Sequence, residues 1–424
     1  MLRDPDFRRL WAGATTSRLG SSVSTVATPL VALEVLNASA LVVSLLTAAL
    51  WLPWLVVGLP AGAWVDRLPK RAVMVACDLL SAAVLLTVPV AAWAGRLTEL
   101  HLLGANLLLG ACGVLFSAAW VAYLPQLVGG EALVPANAVL HGSDSAAQVL
   151  GPGAAGLVAG AVVAVGGLVV DAVSYVVSAV AVLRVRHVAP APEVRARRRI
   201  RTEIAEGVRF VAGDRYLRTL VLHGAASNLA LTGYQAVLVV FLVRDVGLSA
   251  PRVGLLLALT GAGGVLGATA VQGLVRRLGS ARTLVLCKAG AGPCALVVPF
   301  TAQGPRLALF AAGTAALVAG VVAGNVVSSA FRQTYCPPQL LGRVMTSMQV
   351  VNLGTIPLGA ALAGVLATAT TTRTAIGVLT LAYAASGLVL VLGPLRGLRD
   401  LPGPRTAPLD VPDGGAGRLA STST

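Results

Sequence analysis

The chain has 424 residues, of which 56% are hydrophobic and 12% charged, where an ordinary soluble domain has about 25% charged residues. A mean hydropathy of +0.83 excludes a typical soluble enzyme and points to a polytopic membrane protein. The formal charge of +15 would suit a nucleic-acid binder, but its placement along the chain argues against nucleic acid as a partner.

A helix needs about 20 apolar residues to cross the hydrocarbon, so this length holds about a dozen spans joined by short loops. Apolar runs predict spans over 9–34, 41–63, 72–94, 101–123, 137–163 and 167–185. Six more follow over 217–243, 253–275, 283–302, 306–331, 343–368 and 374–394. The longest polar break, 186–216, contains Pro190, Pro192 and the run Arg195–Arg201, with a short surface helix expected over 203–211. The predicted organisation is an N-terminal six-helix half (1–185), a basic central loop (186–216), a C-terminal six-helix half (217–395) and a disordered tail (396–424). The tail is rich in Gly, Pro, Ser and Thr and has no apolar period.

With the amino terminus assigned inside, 25 of the 32 Lys and Arg fall on the inner side. Arg96, Arg244, Arg252, Arg306 and Arg373 are the five outside, and Arg18 and Lys288 lie within spans. This is the positive-inside asymmetry of a multi-pass protein with both termini cytoplasmic. The basic central loop can rest on anionic lipid headgroups. Lys288 is near enough to its helix end to snorkel. Cys77, Cys112, Cys287, Cys294 and Cys336 form no C-x-x-C pair and have no His cluster beside them. They read as buried apolar residues, with no metal site and no disulfide framework. No Gly-x-x-x-x-Gly-Lys-[Ser/Thr] motif is present, which argues against direct ATP drive, and no enzyme signature is found.

Between spans 2 and 3 lies Gly62-Ala-Trp-Val-Asp66-Arg67-Leu-Pro-Lys70-Arg71, a dense charge patch between two apolar runs. A weak echo, Gly273 to Arg282, has the same separation between spans 8 and 9, with Arg277 where the first copy has its aspartate. An internal duplication of this period indicates two repeated halves. Gly58/Gly62, Gly156/Gly160, Gly263/Gly267 and Gly320/Gly324 are small-x-x-x-small faces that let helices approach. Gly151-Pro152-Gly153 and Pro357 are kink sites.

The Gly-x-x-x-Asp-Arg-x-x-x-Arg pattern resembles the 2–3 loop of the major facilitator superfamily. Further stretches resemble its drug-efflux branch, which includes macrolide-efflux and enterobactin-exporter-like proteins. These are Phe7-Arg-Arg-Leu-Trp11, Ser17-Arg-Leu-Gly20, Asp171-Ala-Val-Ser-Tyr175, Glu206-Gly-Val-Arg-Phe210, Leu217-Arg-Thr-Leu220, Leu340-Leu-Gly-Arg-Val344 and Pro357-Leu-Gly359. The resemblance implies an all-α fold of twelve transmembrane helices in two pseudo-symmetric six-helix halves. It also implies proton-driven export of amphipathic small molecules, with Gly62, Asp66, Arg67 and Arg71 as a cytoplasmic conformational latch. Two departures bear on coupling: Ser21 stands where the branch often has an acid, and Arg18 where it is usually uncharged.

Polar residues inside spans fall in stripes at helical spacing. Span 1 carries Thr15, Arg18, Ser22 and Thr25; span 5 carries His141, Asp144, Ser145 and Gln148; span 10 carries Asn325, Ser328, Ser329 and Arg332. Asn106, Asn228, Gln235, Gln349 and Asn352 complete the candidate cavity lining. Any single one of them is equally well an interhelical hydrogen-bonding residue. Arg18 and Asp144 each lie nine residues from the expected cytoplasmic start of their helix, at Arg9 and Pro135, roughly 13 Å deep at 1.5 Å per residue. Opposite charges at one depth are expected to pair, either as a proton-sensitive site or as a permanent structural pair. Asp144 leads the proton-coupling candidates, followed by Asp171, with Arg18 as counter-charge and His141 as relay. Asp78 is a further acid within a span.

The function read from these features is secondary active export of a drug or natural product by proton antiport. No cofactor is needed beyond the proton gradient. The expected setting is the bacterial cytoplasmic membrane and the chain is expected to act as a monomer. Two alternatives stand: a carrier of the same fold that imports, or exports an endogenous metabolite or siderophore, and a transport-inactive scaffold or sensor.

Overall fold

The computed structural model describes residues 4–128, 136, 139–140, 143, 164–186 and 208–404. These are mostly helical, and no strand occurs among them. Helix α1 spans Pro5–Glu34. Asp4 caps it by accepting the amides of Asp6 at 2.8 Å and Phe7 at 3.3 Å, and Pro5 stands where no amide is required. Helix α2, Ala40–Val56, is capped by the Ser39 hydroxyl. The second expected span breaks at Val57 and resumes as α3, Gly58–Asp66. Pro53, which lacks an amide, precedes the break by one turn.

The chain continues as α4 (Lys70–Trp93), α5 (Glu99–Val128) and α6 (Ala164–Leu183). Helix α7, Arg215–Val240, runs on through a π-turn over Phe241–Asp245. Then come α8 (Ala250–Leu278), α9 (Ser280–Ala295), α10 (Arg306–Tyr335), α11 (Pro338–Ala369), α12 (Thr372–Ser386) and α13 (Leu388–Val391). Nine helices among the described residues are long and apolar enough to cross a membrane. At 17 residues α2 is shorter, and α1 is diluted by its hydroxyl stripe and Arg18. Most of span 5, with Gly151-Pro152-Gly153, lies outside the described residues.

Three boundaries differ from the hydropathy expectation. Span 9 ends its α-helix at Ala295 and tightens into a 3-10 turn over Val298–Phe300, after Pro293. Span 12 divides at Gly387. The tail is ordered at its start. Asp400 accepts the Ser280 amide at 2.9 Å, the Ser280 hydroxyl accepts the Leu401 amide at 2.8 Å, and Arg399 offers its carbonyl to the Ala281 amide at 3.1 Å. The exposed amides at the start of α9 thereby find partners, and a carboxylate sits at the positive end of the helix dipole. Residues 405–424 lie outside the described set.

The two halves repeat one packing pattern. Helix α1 lies along α6, and α7 along α12; α4 packs on α5 and α6 as α9 packs on α10 and α12; α2 packs on α5 as α8 packs on α10. Glycines set the closest crossings. A Cβ at Gly263 or Gly267 would fall on the carbonyl oxygen of Ala315 or Ala319, so α8 and α10 meet backbone to backbone.

We call the end of the bundle where α1 begins the basic face. At this face each half has its own core. Phe7, Leu10, Met74, Tyr123 and Val182 form one, and Phe210, Leu217, Phe331, Tyr335 and Leu395 form another. At the opposite face the cores merge. Leu30, Val31, Val43 and Leu46 share a cluster with Val239, Val240 and Ala250, and Ala40 packs against the cluster of Phe241 and Leu242. Among the described residues the seam runs mainly between α2 and α11. At Gly364 a Cβ would land on the Ser44 hydroxyl and lie 2.9 Å from Leu41 Cδ1. Among the described residues the halves are therefore closed on one another at the opposite face and have separate cores at the basic face.

Candidate functional site

In the first half, α1 and α6 enclose a carboxylate. Asp171 is 2% exposed. Its Oδ1 accepts a hydrogen bond from the Ser174 hydroxyl at 3.1 Å and lies 3.5 Å from the Ser21 hydroxyl, which is 3.3 Å from the Tyr175 hydroxyl. Helix α1 approaches this closely because Gly20 has no side chain: a Cβ there would fall on the Ser174 hydroxyl and lie 2.8 Å from Asp171 Oδ1. Ser21, the residue that departs from the family pattern, thus faces an acid supplied by α6. Asp78 on α4 is also 2% exposed, and its Oδ2 has no hydrogen-bond partner among the described residues. Neither acid is ion-paired among the described residues.

In the second half, a cavity of ≈ 260 Å³ lies among α7, α9, α10, α11 and α12. Helix α7 contributes His223, Ser227 and Asn228; α9 contributes Lys288. From α10 come Asn325, Ser328 and Arg332; from α11, Met348 and Asn352; from α12, Tyr383. Asn228 donates to the Asn352 carbonyl at 2.8 Å, fixing α7 to α11. His223 is 2% exposed and its Nδ1 lies 3.0 Å from the Ser386 carbonyl oxygen. Lys288 donates from Nζ to Asn325 Oδ1 at 2.9 Å. Its stem crosses Gly324, where a Cβ would lie 2.6 Å from Lys288 Cγ. The expectation that Lys288 snorkels to the helix end gives way here. The missing side chain at Gly324 lets the lysine turn inward, and Asn325 receives its ammonium.

The cavity gathers four of the expected lining residues, Asn228, Asn325, Ser328 and Asn352. This cavity lies within the second half, with spans 9 and 12 in its wall. Gln235 and Gln349 are exposed and do not line it. Ser329 lies on α10 and accepts from Gln333 at 3.4 Å. Ser22 and Thr25 donate to the carbonyls of Arg18 and Ser21, and Asn106 to that of Leu102, each within its own helix. Arg18 is an exposed residue of α1. Asp144, His141 and Gln148 lie outside the described residues, and the expected Arg18–Asp144 pair with them. His223 and Lys288 were missed as lining residues. The available signal was a histidine and a lysine, eight residues into α7 and eight into α9, within apolar runs.

The latch sequence sits on the basic face. Asp66 is the last residue of α3 and Arg67, exposed, caps it. Arg71 donates from Nε to the Val182 carbonyl at 3.2 Å and from its terminal nitrogen to that of Leu183. Arg9 adds a bond to the Arg184 carbonyl at 3.1 Å and an ion pair to Asp6 at 2.7 Å. The final carbonyls of α6 thus meet two guanidinium groups, as a helix carboxyl end favours. A Cβ at Gly62 meets nothing within 4 Å, so the close approach expected there is not made while the halves are apart at this face.

A family model described as transmembrane secretion effector matches residues 1–403. The multidrug efflux pump Tap of Mycolicibacterium fortuitum is 30% identical over 396 residues, 90% of this chain and 94% of the relative. A mutant of the nucleoside transporter NupG superposes with a TM-score of 0.76 at 10% identity, covering 91% of this chain and 99% of that one. A bacterial homologue of the iron transporter ferroportin, 16% identical, gives 0.73 in its inward-facing state over 92% of this chain and 98% of its own. In its outward-facing state, at 17% identity, it gives 0.61 over 91% and 98%. The fold is that of these carriers, and the chain belongs to the transmembrane secretion effector family of the major facilitator superfamily.

Proposed function

We propose that this protein is a secondary active transporter that exports amphipathic small molecules, drugs or natural products, from the cytoplasm by alternating access. Proton re-entry drives it. The observation that carries the reading is the asymmetry of the cores: one shared core at the opposite face, two separate cores at the basic face. Rocking of two pseudo-symmetric halves about a central site requires contacts that close at one end while the other is open. The relationship to the multidrug efflux pump Tap over 90% of the chain supports the substrate class and the direction.

In this reading the basic face is cytoplasmic, the membrane is the bacterial cytoplasmic membrane, both termini are inside, and one chain suffices. The first half (1–185), the basic loop (186–216), the second half (217–395) and the tail move as parts of that one carrier. Gly62, Asp66, Arg67 and Arg71 form the latch that engages when the basic face closes. Asp171 and Asp144 carry the proton. Asp171 is the more concrete of the two, since its carboxyl is buried among hydroxyls between α1 and α6. A hydrophobic scaffold has no use for two buried acids without an ion pair among the described residues, Asp171 and Asp78, because each costs free energy to bury charged.

The test is accumulation of fluorescent amphiphiles in inverted membrane vesicles with an acidic interior. Wild-type vesicles are expected to accumulate them, and a proton ionophore to abolish the effect. Asp171→Asn and Asp144→Asn are each expected to reduce gradient-driven accumulation. Accumulation equal to that of vesicles without the protein, with or without a gradient, rules the carrier reading out.

A further inference from the structure

The second-half cavity holds two cations and no acid among its described lining residues. Lys288 is held in place by Asn325 and by the gap at Gly324. Arg332 is three residues from the end of α10, and its buried Nε has no hydrogen-bond partner among the described residues; the buried Ser328 hydroxyl one turn away has none among them either. Two like charges in one low-dielectric cavity repel, and each loses hydration. A guanidinium donor left unmatched beside a free hydroxyl is what a carboxylate or phosphate oxygen satisfies, with charge-assisted bonds. Leu220, Leu231 and Met348 add apolar contact to the lining. Along the helices the polar groups extend from Arg332, about 5 Å from the basic face, to Asn228, about 20 Å from it, at 1.5 Å per residue.

We infer that this cavity receives the anionic group, a carboxylate or a phosphate, of a transported amphiphile, with Lys288 and Arg332 as its counter-charges and Ser328 as a further donor. The inference rests on the carrier reading for the word transported, but the binding site does not depend on it. The positive walls also focus potential toward the basic face, so anionic amphiphiles are concentrated at the entrance.

The experiment is equilibrium binding to the full chain in phosphatidylcholine nanodiscs with two matched probes, dansylglycine and its neutral amide. The carboxylate is expected to bind about tenfold more tightly than the amide, with a preference that weakens as salt rises. Lys288→Gln and Arg332→Gln are each expected to remove most of that preference, with a melting temperature and size-exclusion profile matching wild type showing that the variants remain folded. Lys288→Arg should retain it, and Gly324→Ala, which displaces the lysine stem without removing charge, should weaken it. Equal affinity for both probes in wild type, or a preference that survives both glutamine variants, overturns the inference. So does displacement of dansylglycine by phosphatidylglycerol placed in the disc, which would identify a lipid headgroup as the occupant. Gradient-driven transport without carboxylate preference defeats this inference alone; carboxylate preference without gradient-driven transport defeats the carrier reading alone.

Discussion

Asp171 concentrates the chemistry of the first half in one side chain. Its neighbours are the hydroxyls of Ser21, Ser174 and Tyr175, which can donate to a carboxylate or accept from a carboxylic acid. The pocket therefore tolerates either protonation state, as a proton carrier requires. Replacing it with Asn keeps the shape and removes the charge. We expect Asp171→Asn to lose about tenfold or more of gradient-driven transport, with a melting temperature equal to or above wild type, since a neutral amide is cheaper to bury. Transport kinetics and thermal unfolding of the purified protein check the two halves of that expectation. The glycines make the opposite case, where packing alone is at stake. Gly267→Leu drives a side chain into the Ala319 backbone, and overpacking of that kind costs about 1–3 kcal/mol, read as a lowered melting temperature. The same change at Gly62, which faces open space in this conformation, should leave the melting temperature of this state unchanged and impair transport.

At the scale of elements, the ends of helices at the basic face are held by specific partners. Asp214 caps α7 through the amides of Tyr216 and Leu217, both at 2.9 Å, and its other oxygen accepts the Tyr335 hydroxyl of α10 at 2.7 Å. Asp214→Ala loses the cap, about 1 kcal/mol, and leaves the buried Tyr335 hydroxyl without that acceptor, so its loss should exceed that of an exposed cap. Arg71 and Arg9 hold the end of α6, while Arg399 and Asp400 hold the start of α9. Truncation before Arg399 should expose the first amides of α9 and speed hydrogen exchange over 280–283, leaving exchange over α4 unchanged.

Much of this was legible in the sequence. Helices lie where apolar runs of about 20 residues predict them. Asn228, Asn325, Ser328 and Asn352 were readable as lining residues because amides and hydroxyls at helical spacing in an apolar run have few other places to go. Lys288 was not, because depth from a helix end cannot distinguish a lysine that snorkels from one that turns inward. The deciding feature is Gly324, on another helix 36 residues away. Likewise, the docking of Asp400 on Ser280 depends on a partner that hydropathy does not register.

At the scale of the whole molecule, the closed seam at the opposite face must open if the protein is a carrier. The seam is held by close contact of α2 and α11 at Gly364 and Ser44 and by the merged core around Leu30, Val43 and Val240. A bulky residue at that crossing should bias the halves toward the alternative state. We expect Gly364→Leu to increase labelling of opposite-face residues by a membrane-impermeant reagent and to decrease labelling at the basic face.

Double electron–electron resonance tests the central claim most directly. One spin-label pair replaces Arg67 and Arg277 on the basic face, and a second replaces Arg96 and Arg306 on the opposite face; all four positions are exposed. The account predicts that a change of pH together with saturating amphiphile shortens the first distance as it lengthens the second. Two distances that stay fixed under every combination of pH and ligand, in protein that remains folded, would contradict it.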